Sequence, residues 1–265
     1  MVRTELEESL RAVGSQRRQG SVLEAIILAA GDGGFVGIDL ALGCFVRAIW
    51  GADAAEPALV DLVPEAALAS LPAGESVEEN EPVLRPAPLV EGASVELAPY
   101  SVVRGVIADP NPLFDPARPE AVVLEGPPNL ASPMRKGSIR RRLKALLAPP
   151  EQPLLGFLGP SVPYWELAGT RGSLALVELR RGPQILRRSG EHQLRARFSW
   201  AGVEQELPVL DPRLARSLWG VRRFPLSGAA IAKRAGFLPR FLLVALTGPR
   251  RGHCYKVVAA ALPSP

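Results

Sequence analysis

The chain is poor in the residues from which metal sites and acid–base chemistry are usually assembled. It has two histidines, His192 and His253, and two cysteines, Cys44 and Cys254, in 265 residues. His253 and Cys254 are neighbours, and adjacent side chains of a strand point to opposite faces, so they cannot share an ion. A zinc site needs about four ligands at suitable spacings, and none can be composed here. No metal site, no cofactor and no catalytic residues are expected. The two cysteines lie far apart and form no motif, which argues against a disulfide framework, although a single bridge stays compatible with the sequence. The expected compartment is a reducing cytoplasm. No stretch approaches ~18 uninterrupted apolar residues, so no membrane span is expected. The opening residues alternate in charge and lack the basic start and apolar run of a signal peptide. Gly31-Asp-Gly-Gly34 has neither the Lys and Ser/Thr of a phosphate-binding loop nor the three-glycine dinucleotide pattern, and reads as a hairpin turn. The acidic pairs Glu78-Glu79 and Glu204/Glu206 read as solvated charge.

What is present points to a folded, mainly apolar chain. Hydrophobic residues make up 47% and charged residues 22%, which excludes wholesale disorder. The formal charge of +4 conceals a strong asymmetry. Residues 1–130 carry 8 Arg/Lys against 20 Asp/Glu, a net −12, whereas residues 131–265 carry 23 against 7, a net +16. A basic half attracts phosphate backbones by releasing condensed counterions; equally, the two halves can attract each other within a chain or between copies. Only Lys136, Lys144, Lys233 and Lys256 are lysines, an arginine bias that also fits nucleotide composition.

Patterning divides the chain into four parts. Thr4 and Glu7 form a capping box, with Leu6, Leu10 and Val13 at helical spacing, giving a short N-terminal helix within 1–20. Residues 21–90 hold an apolar run from Val22 to Ala30, the Gly-rich turn, Phe35–Ile38, Cys44–Trp50 and Ala58–Val63, then an acidic, Pro-rich loop over Glu75–Pro88. This spacing of short β-branched runs and turns reads as a meander closing a first small barrel. Residues 91–170 are expected to be a Pro-rich, irregular connecting segment. Val95–Ile107 can supply one or two strands, Pro110, Pro112, Pro116 and Pro119 break regular structure beyond them, and a helix is expected over 138–147 with Ser138 as N-cap. Residues 171–265 carry a second meander: Ser173–Leu179, Gln184–Arg188, Gln193–Trp200, Val203–Val209, Phe241–Leu246 and His253–Ala261. Within Gln193–Trp200, Leu194, Ala196 and Phe198 are expected inside and Arg195, Arg197 and Ser199 outside, with Ala201-Gly202 as the hairpin turn.

The segment Arg195-Ala-Arg-Phe-Ser-Trp-Ala-Gly-Val-Glu-Gln-Glu-Leu-Pro-Val-Leu-Asp-Pro212, followed by Leu243-Val-Ala-Leu-Thr-Gly-Pro-Arg-Arg-Gly-His-Cys-Tyr-Lys-Val-Val-Ala259, resembles the dual OB-containing domain family of bacteria. The resemblance covers about 170–262. A fainter likeness over 25–85 rests on Gly33-Gly34, Phe45–Ile49 and Glu79-Asn80, and Ala29-Ala-Gly-Asp32 stands where polar and basic residues of the family's first Gly-rich turn would be. The resemblance implies two small OB-like β-barrels, a link to bacterial conflict systems, and nucleic-acid recognition.

The expected fold class is therefore mainly β: two small OB-like barrels with a short N-terminal helix and an irregular, partly helical, Pro-rich middle. The leading functional expectation is a non-catalytic module of a bacterial conflict, defence or accessory system that binds single-stranded DNA or RNA through the basic C-terminal half. Small open barrels stack bases on aromatics while Arg and Lys follow the backbone. The candidate contacts are Arg140, Arg141, Arg142 and Lys144 on the middle helix, Arg195, Arg197 and Trp200 on one hairpin, and Arg250, Arg251, Tyr255 and Lys256 on another. Each also has an ordinary structural role open to it: Trp200 can cover a barrel end, Tyr255 can enter a core, and the arginines can form solvated faces. The second expectation is a protein-interaction or scaffold subunit, self-associating or partner-bound, that assembles through complementary acidic and basic halves.

Overall fold

The computed structural model describes residues 17–31, 33–51, 97–110, 118–167, 172–187 and 193–265. The expected N-terminal helix around Thr4 and Glu7, the strand candidate Ala58–Val63, the Glu75–Pro88 loop, Glu79-Asn80 and His192 lie outside the described residues.

The protein is mainly β, built on two OB-like barrels. The first consists of β1 (Val22–Gly31), β2 (Gly34–Asp39), β3 (Phe45–Ile49), β4 (Val102–Asp109) and β5 (Ala121–Leu124). Their order is β1-β2-β3-β5-β4, and β4 returns to β1. All pairings are antiparallel except β3 with β5. Closure depends on β1, which pairs with β4 through Val22–Ile26 and with β2 through Ala25–Gly31, its register shifting between Ile27 and Ala29. A bulge of this kind bends one strand enough to serve both neighbours. β2 crosses so close that a Cβ on Gly37 would lie 2.5 Å from the Ile26 carbonyl oxygen, so only glycine fits there.

The second barrel repeats this connectivity more openly. Its strands are β8 (Leu174–Glu178), β9 (Gln184–Arg187), β10 (Leu194–Trp200), β11 (Val203–Pro208), β12 (Phe241–Leu246) and β13 (His253–Leu262). β8 pairs with β12 and β9 with β10, so the first strand is split in two, around Pro183. The chain leaving β11 meets β13 through a parallel bridge, Val209 to Val258, where the Leu210 N–H donates to the Val258 carbonyl at 2.8 Å. Between β11 and β12 lie α2 (Pro212–Ser217) and α3 (Gly228–Ala235). Asp211 caps α2. Its buried carboxylate accepts from the Arg213 and Leu214 amides, from the Arg213 guanidinium, and from the Ala261 amide at 2.9 Å, tying the helix to the end of β13.

The expected connector is largely part of the barrels. Residues 102–124 supply β4 and β5, without which the first barrel would stay open, so that barrel extends well past residue 90. The segment also contributes the short β6 (Asn129–Leu130) on β4, the helix α1 (Lys136–Ala145) and β7 (Ser161–Pro163), which pairs with β13. α1 starts two residues before Ser138, with Arg135 at the N-cap position and no side-chain cap. Ser138 is therefore inside the first turn and is not the cap.

Four apolar cores result among the described residues, the smallest of them (Val162, Leu167, Leu246, Cys254) beside β7. One fills the first barrel (Leu23, Ala25, Ile27, Phe35, Val46) and one fills the second (Val177, Ala196, Leu207, Leu242, Val244). The third lies between them, where Ile26, Leu28, Val36 and Ile38 from the first barrel meet Leu174, Leu176, Phe241 and Leu243 from the second, with Ile139 and Leu143 of α1. Strands at this contact are buried on both faces, which is why β1, β2 and β12 read as unbroken apolar runs instead of alternating ones. A buried polar link crosses the same contact. Arg47 Nε meets Glu120 Oε1 at 3.3 Å, Arg47 Nη2 donates to Ser173 Oγ at 3.3 Å, and the Ser173 hydroxyl donates to Glu120.

Candidate nucleic-acid interface

OB-like barrels present ligands with the outer face of their second and third strands and with the loops joining strands one to two and four to five. In the first barrel that face belongs to β2 and β3. Val36 and Ile38 are in the shared core, Phe45 packs against it, and Arg47 is held by Glu120 and Ser173. The second barrel thus covers the surface on which the first would bind.

In the second barrel the corresponding face belongs to β10 and β11. The alternation expected for β10 is present: Leu194, Ala196 and Phe198 are buried in the core and Ser199 is exposed. The outward arginines, however, are met by carboxylates on β11. Arg195 Nε lies 2.9 Å from Glu206 Oε1, Arg197 Nη2 lies 2.9 Å from Glu206 Oε2, and Arg197 Nε is 3.6 Å from Glu204 Oε1. The pairing follows from register, since Arg197 stands opposite Glu206. The hydrogen bond to Glu206 raises the Arg197 pKa above its ordinary value. Arg195 is buried, so it lacks the accessible charge expected of it. Glu204 and Glu206 act as cross-strand counter-ions and are not merely solvated.

Two more expected contacts are internal. Trp200 is buried in the second core, its indole N–H donating to the Gln152 carbonyl at 2.9 Å; it seals the barrel and offers no face for a base. Lys256 is 1% exposed, with Nζ donating to the Phe157 carbonyl at 2.7 Å and lying 3.9 Å from that ring's centroid. Burial lowers its pKa to about 8. Between about pH 8 and the ordinary lysine value of 10.5, the unfolded chain binds more protons than the folded one, so stability rises with pH across that window. Urea unfolding should show the wild type gaining on the order of 1–2 kcal/mol relative to Lys256→Met between about pH 7 and pH 10. A difference that stays constant with pH would contradict the buried, depressed lysine.

On α1, Arg140, Arg141 and Lys144 are exposed, whereas Arg142 is half-buried and donates to the Leu40 carbonyl at 3.0 Å, fastening the helix to the first barrel.

The remaining expected residues converge at the β12–β13 hairpin, the loop between strands four and five. Arg250 and His253 exchange backbone hydrogen bonds of 2.8 and 2.9 Å around a two-residue tip. Arg251 and Gly252 there have φ of 48° and 79°. This is the mirror-image turn that suits twisted hairpins and favours Asn or Gly at its first position, so an arginine is an unusual occupant. Arg251 is exposed, while Arg250 and Tyr255 are half-buried. β7 brings another chain segment alongside: His253 pairs with Pro163, and the Tyr164 amide donates to the Gly252 carbonyl at 2.8 Å. This places Trp165 over the tip, 68% exposed, edge-on to His253 at 6.0 Å. A Cβ on Gly252 would sit 3.2 Å from the indole. Cations and an accessible indole thus share one hairpin.

Pattern reading missed Trp165, because only the β7–β13 pairing, about ninety residues apart in sequence, sets it over Gly252 and His253. It also missed Trp219, 77% exposed after α2. Cys44 and Cys254 form no disulfide, and burial pushes the Cys44 thiol pKa up, which makes it a poor nucleophile. Among the described residues no group of three or more His, Cys, Asp or Glu is placed to hold a metal, and no helix is long and apolar enough to cross a membrane. No family model, curated protein or solved structure matches the chain.

Proposed function

We propose that the chain belongs to the dual OB-containing domain family and is a non-catalytic, cytoplasmic module of a bacterial conflict, defence or accessory system that binds single-stranded nucleic acid on its second OB-fold. The observation that carries the reading is the hairpin tip, where the accessible indole of Trp165 packs on Gly252 and His253, next in sequence to exposed Arg251. A base stacks on the indole, and the Arg250-Arg251 pair meets the flanking phosphates. The neutralised β10–β11 face contributes shape more than charge. The first barrel acts as a scaffold, since its own binding face is covered. Arg140, Arg141 and Lys144 extend the positive field.

Binding of a labelled oligo-dT or oligo-rU of about 15 nucleotides tests this by anisotropy. Affinity should fall roughly 20-fold between about 50 and 200 mM salt, as about three phosphate contacts require. No binding at low salt, or binding indifferent to salt, contradicts the proposal. Arg251→Asn separates function from fold. Relief of the left-handed arginine should raise stability by roughly 0.5 kcal/mol, while the logarithmic salt slope shrinks by about 0.7. A variant with unchanged slope would remove Arg251 from the interface.

A further inference from the structure

At the opposite end of β12 from the hairpin, about 20 Å away along a six-residue strand, lies a concavity of about 520 Å³. Arg180 and Arg181, in the break between β8 and β9, and Arg240, immediately before β12, line it. Arg240 donates to the Arg180 carbonyl, which fixes the guanidinium beside its neighbours. Among the described residues no carboxylate lines the concavity. Three arginines lining one concavity raise the local positive potential, which favours a polyvalent oxyanion. Ser227 and Gly228, which also line it, are the N-cap and first residue of α3, whose first turn holds no acidic residue and whose Ser227 side chain makes no capping hydrogen bond; the helix start adds amide donors to the arginine cluster.

The remaining wall is apolar, formed by Ala229, Ala232 and Leu238. The backbone is closely packed beneath it: a Cβ on Gly182 would fall 3.1 Å from Leu238 Cδ1 and 3.3 Å from the Pro239 carbonyl oxygen. The concavity is open to solvent and wider than a bare phosphate fills. We infer that this concavity binds the phosphomonoester of a nucleotide, with the arginines on the phosphate and the nucleoside against Ala232 and Leu238. The phosphomonoester can belong to a free mononucleotide or to the phosphorylated 5′ end of a strand. The inference does not depend on the hairpin reading, because the two sites are at opposite ends of β12.

Calorimetric titration of the full chain with adenosine 5′-monophosphate, inorganic phosphate and adenosine tests it. The monophosphate should bind saturably and more tightly than inorganic phosphate, and adenosine should not bind. Arg180→Ala/Arg240→Ala should weaken the monophosphate at least tenfold. Should the double variant not fold, amide shifts of the wild type on titration with the monophosphate provide the readout, expected at Gly182, Gly228 and Ala229. A 5′-phosphorylated oligo-dT that binds more tightly than its 5′-hydroxyl counterpart identifies the strand end as the source; equal binding identifies the free nucleotide. Absence of saturable monophosphate binding, unaltered binding in the folded double variant, or shifts confined to 250–256 overturns the inference.

Discussion

Glu120→Ala is expected to destabilise the protein by about 3–5 kcal/mol, because it leaves the Arg47 guanidinium charged, buried and without its carboxylate. Arg47 is on β3 and Glu120 just precedes β5, so the pair sits at the parallel seam that closes the first barrel. Ser173, at the entrance to β8, adds the second barrel to the same cluster. Coulomb attraction alone does not decide the outcome, since desolvation of two charges offsets much of it. The decisive comparison is with Arg47→Met/Glu120→Leu, which removes both charges and keeps apolar volume. That double variant should recover most of the loss in urea denaturation. A Glu120→Ala cost below about 1 kcal/mol, in the range of exposed ion pairs, would show that the cluster does not bind the barrels together. The shared apolar core further requires both barrels to unfold in one transition, with Trp50 in the first barrel and Trp200 in the second reporting the same midpoint.

The second large effect concerns recognition. Trp165→Ala should weaken oligo-dT binding by about 1–3 kcal/mol, roughly 5- to 150-fold, the range for loss of one base–aromatic stack. Trp165→Phe should keep most of the affinity, because a smaller π-face remains. Stability should change little in either variant, since the indole is largely exposed and its main contacts are Gly252 and His253. Trp200→Ala makes the contrast: it opens the second core and strands the Gln152 carbonyl, so the loss should appear as several kcal/mol of stability. Equal affinity of wild type and Trp165→Ala for oligo-dT would remove the indole from the interface.

Much of the architecture was legible in local pattern. β10 alternates because only one of its faces meets a core, and Ala201-Gly202 supplies the left-handed turn that the β10–β11 hairpin requires. α1 shows its stripe, Ile139 and Leu143, because its other side is solvated. What was illegible depends on distant pairing. β4 and β5 lie more than fifty residues beyond β3, in a proline-interrupted stretch that resembles a linker until it closes the barrel. The same holds for charge. Arg195 and Arg197 look like a basic face until register sets Glu206 opposite Arg197, and Lys256 looks exposed until Phe157, some hundred residues earlier, folds over its ammonium. At the hairpin tip the Gly-flanked turn expected from sequence is present, with Arg251 exposed and Arg250 half-buried.

The most direct test is to photocrosslink the full chain to an oligo-dT carrying 5-iododeoxyuridine and to map the modified peptides. Adducts are expected on Trp165 and on residues of the tip from Arg250 to Tyr255, and competition with high salt should abolish them. Saturable binding with adducts confined to the β10–β11 face or to the first barrel would contradict recognition at the hairpin.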